Sequence, residues 1–321
     1  MKIIKKLMQI ALAVFFFSLL ATSTVLADDT DSEGWKFVQE NGRIYYKKGD
    51  LKETYWRVID GKYYYFDSLS GEMVVGWQYI PAPHEGVTIG SSLRQDVAFR
   101  PDWFYFGQDG VLQEFVGKQV LEAKTATNTN KHHGEQYDSP AEKRVYYFED
   151  QRSYHTLKTG WVYDEGHWYY LLKDGGFDSR INRLTVGELA RGWVKDFPLT
   201  YDEDKLKAAP WYYLDPTTGI MQTGWQYLGN KWYYLRSSGA MATGWYQEGS
   251  TWYYLDAENG DMQTGWQYLG NKWYYLRSSG AMATGWFQVG SKWYYAYSSG
   301  TLAVNTTVEG YSVNYNGERV Q

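Results

Sequence analysis

The chain has 321 residues, of which 19% are aromatic, no cysteine and a formal net charge of −5. Without cysteine there is no disulfide framework, thiolate metal site or cysteine nucleophile, and an acidic chain lacks the positive field that nucleic acid or anionic lipid requires. Mean hydropathy stays polar at −0.56 despite 16 tryptophans and 32 tyrosines, so many rings are expected at the surface.

Residues 1–27 read as an export signal. Lys2, Lys5 and Lys6 form a basic start, residues 7–20 an apolar run too short to span a membrane comfortably, and Val25-Leu26-Ala27 a small-residue cleavage site before Asp28. Losing those three lysines takes the formal charge from −5 to −8. No later apolar run is long enough to span, and the C-terminus carries no sorting signal or hydrophobic tail. Attachment to a cell surface is therefore expected to rest on the repeats themselves.

Trp35, Trp56 and Trp77 then recur at intervals of 21 residues, before the period breaks. Trp161, Trp193 and Trp225 stand 32 apart, as if loops had been inserted into repeats. This spacing divides the exported chain into a degenerate, insertion-rich portion, residues 28–204, and a regular array, residues 205–321. In the first portion Trp35 faces Ile44 where a tryptophan is expected, and Trp56 faces Tyr63. Trp161 and Trp168 keep the spacing, but the partner expected at Tyr213 lies beyond two insertions. These units are expected to stack, most of them without a ligand.

Other chemistry in this portion is sparse. His132, His133 and Glu135 fall in a polar stretch, residues 124–143, that reads as a solvated loop and not a metal cluster. Asp202-Glu203-Asp204 matches no calcium-loop register and reads as a solvated face. There is no Gly-x-Ser-x-Gly, no P-loop and no histidine motif shared with a nucleophile. A non-catalytic protein is expected.

In the regular array, residues 221–245 return letter for letter at 262–286. Gly-Trp pairs end at Trp225, Trp245, Trp266 and Trp286, and seven residues later Trp232, Trp252, Trp273 and Trp293 each open a Trp-Tyr-Tyr triplet. A period of 20 or 21 residues indicates an all-β solenoid of stacked hairpins. Residues 231–236 are strongly strand-forming, Ser237-Ser238-Gly239 is turn chemistry, and residues 240–243 are expected to return as the second strand. Alternation puts Trp232 and Tyr234 on one face, Tyr233 and Leu235 on the other. A lone hairpin is marginal in water, so neighbours must bury each other's apolar faces.

Rings meeting at a stacking boundary attract a diffuse cation that needs no hydrogen bonds, and a quaternary ammonium such as choline fits. The repeat carries no acid or histidine at a fixed position, so neither metal nor cofactor is implied. Gln226 and Gln267, with Asn230 and Asn271, keep sugar binding as a rival.

The segment GWQYLGNKWYYLRSSGAMATGW resembles the choline-binding repeat of streptococcal surface proteins, phage lysins and autolysins. The resemblance covers residues 224–300 closely and 34–225 more loosely, and the all-repeat layout is similar to that of pneumococcal surface proteins of this family. It implies hairpins stacked in a left-handed superhelix with a choline between neighbours. Its cage consists of the Gly-Trp tryptophan, the triplet tryptophan, the final tyrosine of the next triplet and an intervening Met or Leu. On this chain the implied boxes are Trp225, Trp232, Met241 and Tyr254; Trp245, Trp252, Met262 and Tyr275; Trp266, Trp273, Met282 and Tyr295; and Trp286, Trp293, Leu302 and Tyr315. A fifth, Trp193, Trp211, Met221 and Tyr234, carries an insertion between its tryptophans.

The implied ligand is phosphocholine of teichoic and lipoteichoic acid, holding the exported protein non-covalently at the bacterial wall. Residues 28–204 are then expected to regulate a choline-dependent wall hydrolase. Adhesion to a host protein through loops 81–100, 124–143 and 177–190 is an alternative, and glucan binding by the array another.

Overall fold

Each repeat closes as an antiparallel hairpin, but its partner strand precedes the triplet. Gly224–Leu228 pairs with Lys231–Leu235, bringing Trp225 opposite Tyr234 and Tyr227 opposite Trp232. The turn is Gly229-Asn230, with φ of 56° and 64°. Two consecutive positive φ values give the primed turn whose twist matches a hairpin, which is why glycine and asparagine stand there. The Ser237-Ser238-Gly239 segment is a wider loop, and residues 240–243 contribute only an isolated bridge between Leu235 and Met241. The expected return strand is thus replaced by a loop.

The computed structural model describes residues 24–25, 31–81, 101–124, 143–151, 154–173, 185–198 and 202–320. The chain falls into two units, Met1–Lys158 with Asn182–Gly187, and Thr159–Ile181 with Glu188–Gln321. This cut follows compactness, whereas the expected division after residue 204 followed repeat spacing. Most of the export segment, His132, His133 and Glu135, and the greater part of the three inserted loops lie outside the described residues.

In the second unit the hairpin recurs at Gly160–Asp164 with His167–Leu171, Gly192–Lys195 with Trp211–Leu214, Gly244–Glu248 with Thr251–Leu255, Gly265–Leu269 with Lys272–Leu276, and Gly285–Val289 with Lys292–Ala296. A small three-stranded sheet, Thr306–Val308, Tyr311–Val313 and Arg319–Val320, ends it. Each loop reaches back across one hairpin to the one before: the Met262 amide donates to the Trp232 carbonyl at 2.7 Å, and Met282 to Trp252 at 2.8 Å. The spine beneath is aliphatic, with Leu214, Leu235, Leu255 and Leu276 fully buried.

Close loop packing requires glycine. Gly280 sits at φ +82°, and a Cβ there would lie 2.2 Å from the Met262 sulfur. Asp202-Glu203-Asp204, expected to be a solvated face, starts the short helix Glu203–Ala208, with the Asp202 carboxylate accepting from the Asp204 and Lys205 amides as an N-cap. Among the described residues no helix is long and apolar enough to cross a membrane.

The first unit uses the same hairpin with larger cores. Lys36–Glu40 pairs with Arg43–Lys48, Tyr55–Ile59 with Lys62–Phe66, and Gly76–Pro81 with Pro101–Phe106. Gly117–Glu122, Lys143–Gln151 and Tyr154–Leu157 then form a three-stranded sheet. Trp77 is wholly buried, and Phe66 and Phe106, also wholly buried, stand where the second unit has its spine leucines.

Candidate ligand-binding boxes

Period-two alternation decides which rings can meet between hairpins. Trp225, Trp232 and Tyr234 share one hairpin face, so a ring offered backwards by the next hairpin must stand on the opposite face, at the middle position of its triplet. The distances agree. Trp225 meets Tyr253 at 4.9 Å and 63°, Trp245 meets Tyr274 at 4.9 Å and 62°, and Trp266 meets Tyr294 at 4.8 Å and 69°. The triplet tryptophan stands across the corner, 6.5 Å from Trp225 at Trp232, 6.4 Å from Trp245 at Trp252 and 6.3 Å from Trp266 at Trp273, nearly perpendicular in each case.

Two near-perpendicular indoles and a tilted tyrosine thus form a corner, and the triplet tryptophan of each stays exposed to water. The fourth wall is the residue whose amide bonds the triplet tryptophan's carbonyl. This gives boxes of Trp225, Trp232, Tyr253 and Met262; Trp245, Trp252, Tyr274 and Met282; and Trp266, Trp273, Tyr294 and Leu302. The last encloses a cavity of about 350 Å³, also lined by Val304 and Tyr315. Trp193 and Trp211 meet Tyr233, 5.0 Å from Trp193, and Met241. The earliest, Trp161 and Trp168 with Tyr212 at 4.6 Å and Met221, was hidden in the sequence by insertions on both sides.

All ten of these tryptophans but Trp161 and Trp168 stood among the expected site residues, and their partners shift. Tyr234, Tyr254, Tyr275 and Tyr295 pack against the Gly-Trp tryptophan of their own hairpin, at 5.3, 5.2, 5.0 and 5.2 Å, and do not face the hairpin before. Met221, Met241, Met262, Met282 and Leu302 each wall a box, in every case the one preceding the box expected from spacing, because their loop reaches back. Tyr315 lines the Trp266 cavity and not the Trp286 box. At Trp286 and Trp293 the facing ring is Tyr311, 5.6 Å from Trp286, and the Arg319 guanidinium lies 3.7 Å from the Tyr311 ring. This final box carries its own cation.

Exposure separates the two units. Trp168, Trp211, Trp232, Trp252 and Trp273 are 38–45% exposed, whereas Trp56 and Trp103 are 6% and 4%. In the first hairpin Phe37, and not Trp35, holds the position opposite the final tyrosine, and it packs with Ile44, Ile59, Tyr64 and Met73. In the second, Ile80 packs among Trp56, Tyr63, Phe104 and Leu112 and fills the box.

Three boxes of the second unit also carry a carboxylate on the indole N–H. Trp161 donates to Asp196 at 3.0 Å, Trp225 to Glu248 at 3.0 Å and Trp286 to Glu309 at 2.9 Å. Burial opposes the Asp196 charge, but hydrogen bonds from Lys173, Trp161 and Tyr170, with the Lys173 charge, outweigh it and hold the pKa below the usual value. Glu248 and Glu309 thereby bring a carboxylate beside their indoles, whereas the Asp196 charge is offset by the Lys173 ammonium. Among the described residues no group of three or more His, Asp or Glu side chains is placed to hold a metal.

Known proteins share this construction. A family model described as choline-binding repeat matches residues 222–264 and 263–306, and one described as putative cell wall binding repeat matches 56–73 and 159–177. Among solved structures, CbpJ from Streptococcus pneumoniae is 60% identical, with 89% of this chain and 100% of that one covered at a TM-score of 0.67. CbpF in complex with ipratropium by soaking is 55% identical over 90% and 99% of the two chains, TM-score 0.64. Choline binding protein F from Streptococcus pneumoniae in the presence of a peptidoglycan analogue, a tetrasaccharide-pentapeptide, is 54% identical over the same shares, TM-score 0.64. A search among curated proteins returned no match.

Proposed function

Because the chain belongs to the choline-binding repeat family, we propose that it is a non-catalytic wall-surface protein whose second unit holds phosphocholine heads of teichoic and lipoteichoic acid in five open aromatic boxes. The supporting observation is the repetition of one open three-ring corner at Trp161, Trp193, Trp225, Trp245 and Trp266. A cation over a ring face contributes about 0.5–2 kcal/mol, so a box supplies about 4 kcal/mol, near a millimolar dissociation constant. Five such boxes facing a choline-bearing polymer gain about 10²–10⁴ in avidity when they engage together.

The full chain is expected to bind a choline matrix, to remain bound at raised salt because the acidic protein gains little from the polymer's phosphates, and to be released by free choline. Salt release without choline competition overturns this reading. Retention on a polysaccharide matrix alone supports the glucan alternative.

The first unit, whose first two aromatic boxes are packed shut, supports a separate role in which it regulates a choline-dependent wall hydrolase. The exported protein is expected to slow wall lysis by such an enzyme more than the second unit's occupancy of choline alone explains. Equal slowing by a chain whose first-unit surface has been substituted would point to simple competition. Host-cell binding that persists in free choline would instead favour adhesion.

A further inference from the structure

The third hairpin of the first unit builds the same corner as the open boxes. Trp77 and Trp103 stand 6.2 Å apart at 87°, and Tyr146 from the following sheet lies 4.7 Å from Trp77. Leu157 is buried in the same cluster, in the methionine's place. Yet the Lys124 ammonium lies 4.6 Å from the Trp77 ring, 5.1 Å from Trp103 and 4.3 Å from Tyr146.

We infer that this box is an ammonium-binding site supplied from within: Lys124 is its resident ligand, standing where the open boxes would take choline. The surroundings suit a primary ammonium. Nζ donates to the Val186 carbonyl at 2.6 Å, a bond that a trimethylammonium head cannot make, and Lys124 is only 4% exposed. The chain leading to it is anchored on the box itself, since Trp77 Nε1 donates to the Glu122 carbonyl at 2.8 Å and the Tyr105 hydroxyl to the Glu122 carboxylate at 2.7 Å. A buried cation is costly without compensation, and three ring faces and a carbonyl provide it. The same residues that would make a ligand site thereby tie the strand Gly117–Glu122 and the segment around Val186 to the hairpin beneath. With Ile80 in the Trp56 box and the Phe37 box packed shut, the described part of the first unit is indifferent to choline by construction.

This inference rests on the choline reading for what enters the box once it is emptied, but not for its present occupant. In the full chain, Lys124→Ala is expected to bind one choline more per molecule than the unsubstituted protein, and to melt several degrees lower without choline than with it. Lys124→Arg, which keeps a cation and donors, is expected to leave the count unchanged. A Lys124→Ala chain that keeps the second unit's sites but gains none overturns the proposal. If that variant does not fold, acylation of native lysines decides the matter without choline. Lys124 should react at least about tenfold more slowly than exposed Lys62, because it must first leave the box; equal rates overturn the assignment. Loss of choline binding at every site with Lys124 still protected would defeat the choline reading alone.

Discussion

Replacing Trp232, Trp252 and Trp273 together with alanine lowers retention on a choline-bearing polymer by about 100-fold or more, because three of five cooperating boxes lose a wall and the remaining two supply little avidity. The fold is expected to survive, since these indoles are 38–45% exposed and belong to no buried cluster. Titration of free choline shows the same change differently: the number of sites falls by three while the remaining sites keep their affinity. Retention unchanged in a folded triple variant would mean that binding lies elsewhere in the chain.

The second large effect concerns the spine. Leu255 is fully buried at the end of its strand and bridges to Met262, the wall of the Trp225 box. Leu255→Ala is expected to cost about 2–5 kcal/mol, the transfer of the side chain plus the cavity it leaves. In a stacked array that loss falls on neighbouring repeats, so melting should become less cooperative around residues 244–276. Choline binds only the folded array and should restore part of the loss, by an amount that grows with the logarithm of its concentration. A change below about 1 kcal/mol in thermal or denaturant unfolding would show that the leucine column is not what holds the repeats together.

The tryptophans could be placed from sequence because nothing else requires Gly-Trp followed seven residues later by Trp at a period of 20 or 21. Their partners needed one further step. Alternation already set Tyr253 and Tyr254 on opposite faces, and only Tyr253 can face backwards to Trp225; the final tyrosine expected in the cage fails that parity. The methionines obey no such rule. Which box Met262 walls depends on its loop crossing a whole hairpin to reach the Trp232 carbonyl, a non-local bond that spacing does not encode. Turn chemistry misled where it was most conspicuous, since Ser-Ser-Gly closes a wide loop while the modest Gly229-Asn230 makes the hairpin.

Insertions hid the rest. The Trp161 box draws Tyr212 and Met221 from beyond two interruptions of the period, and Phe37 holds the place that the spacing had suggested for Trp35. Lys124 belongs to neither the Gly-Trp pair nor the Trp-Tyr-Tyr triplet, so the repeat motif does not mark it as a partner of the rings it meets. An internal cation leaves no periodic mark.

Five corners of the second unit, each made by two tryptophans of one hairpin and the middle tyrosine of the next, are expected to take quaternary ammonium heads. A crystal structure of the protein at saturating choline tests it most directly. One head is expected at each of Trp161, Trp193, Trp225, Trp245 and Trp266, against Tyr212, Tyr233, Tyr253, Tyr274 and Tyr294, and none beside Trp77. Empty corners at saturation, or heads seated away from those middle tyrosines, would contradict it.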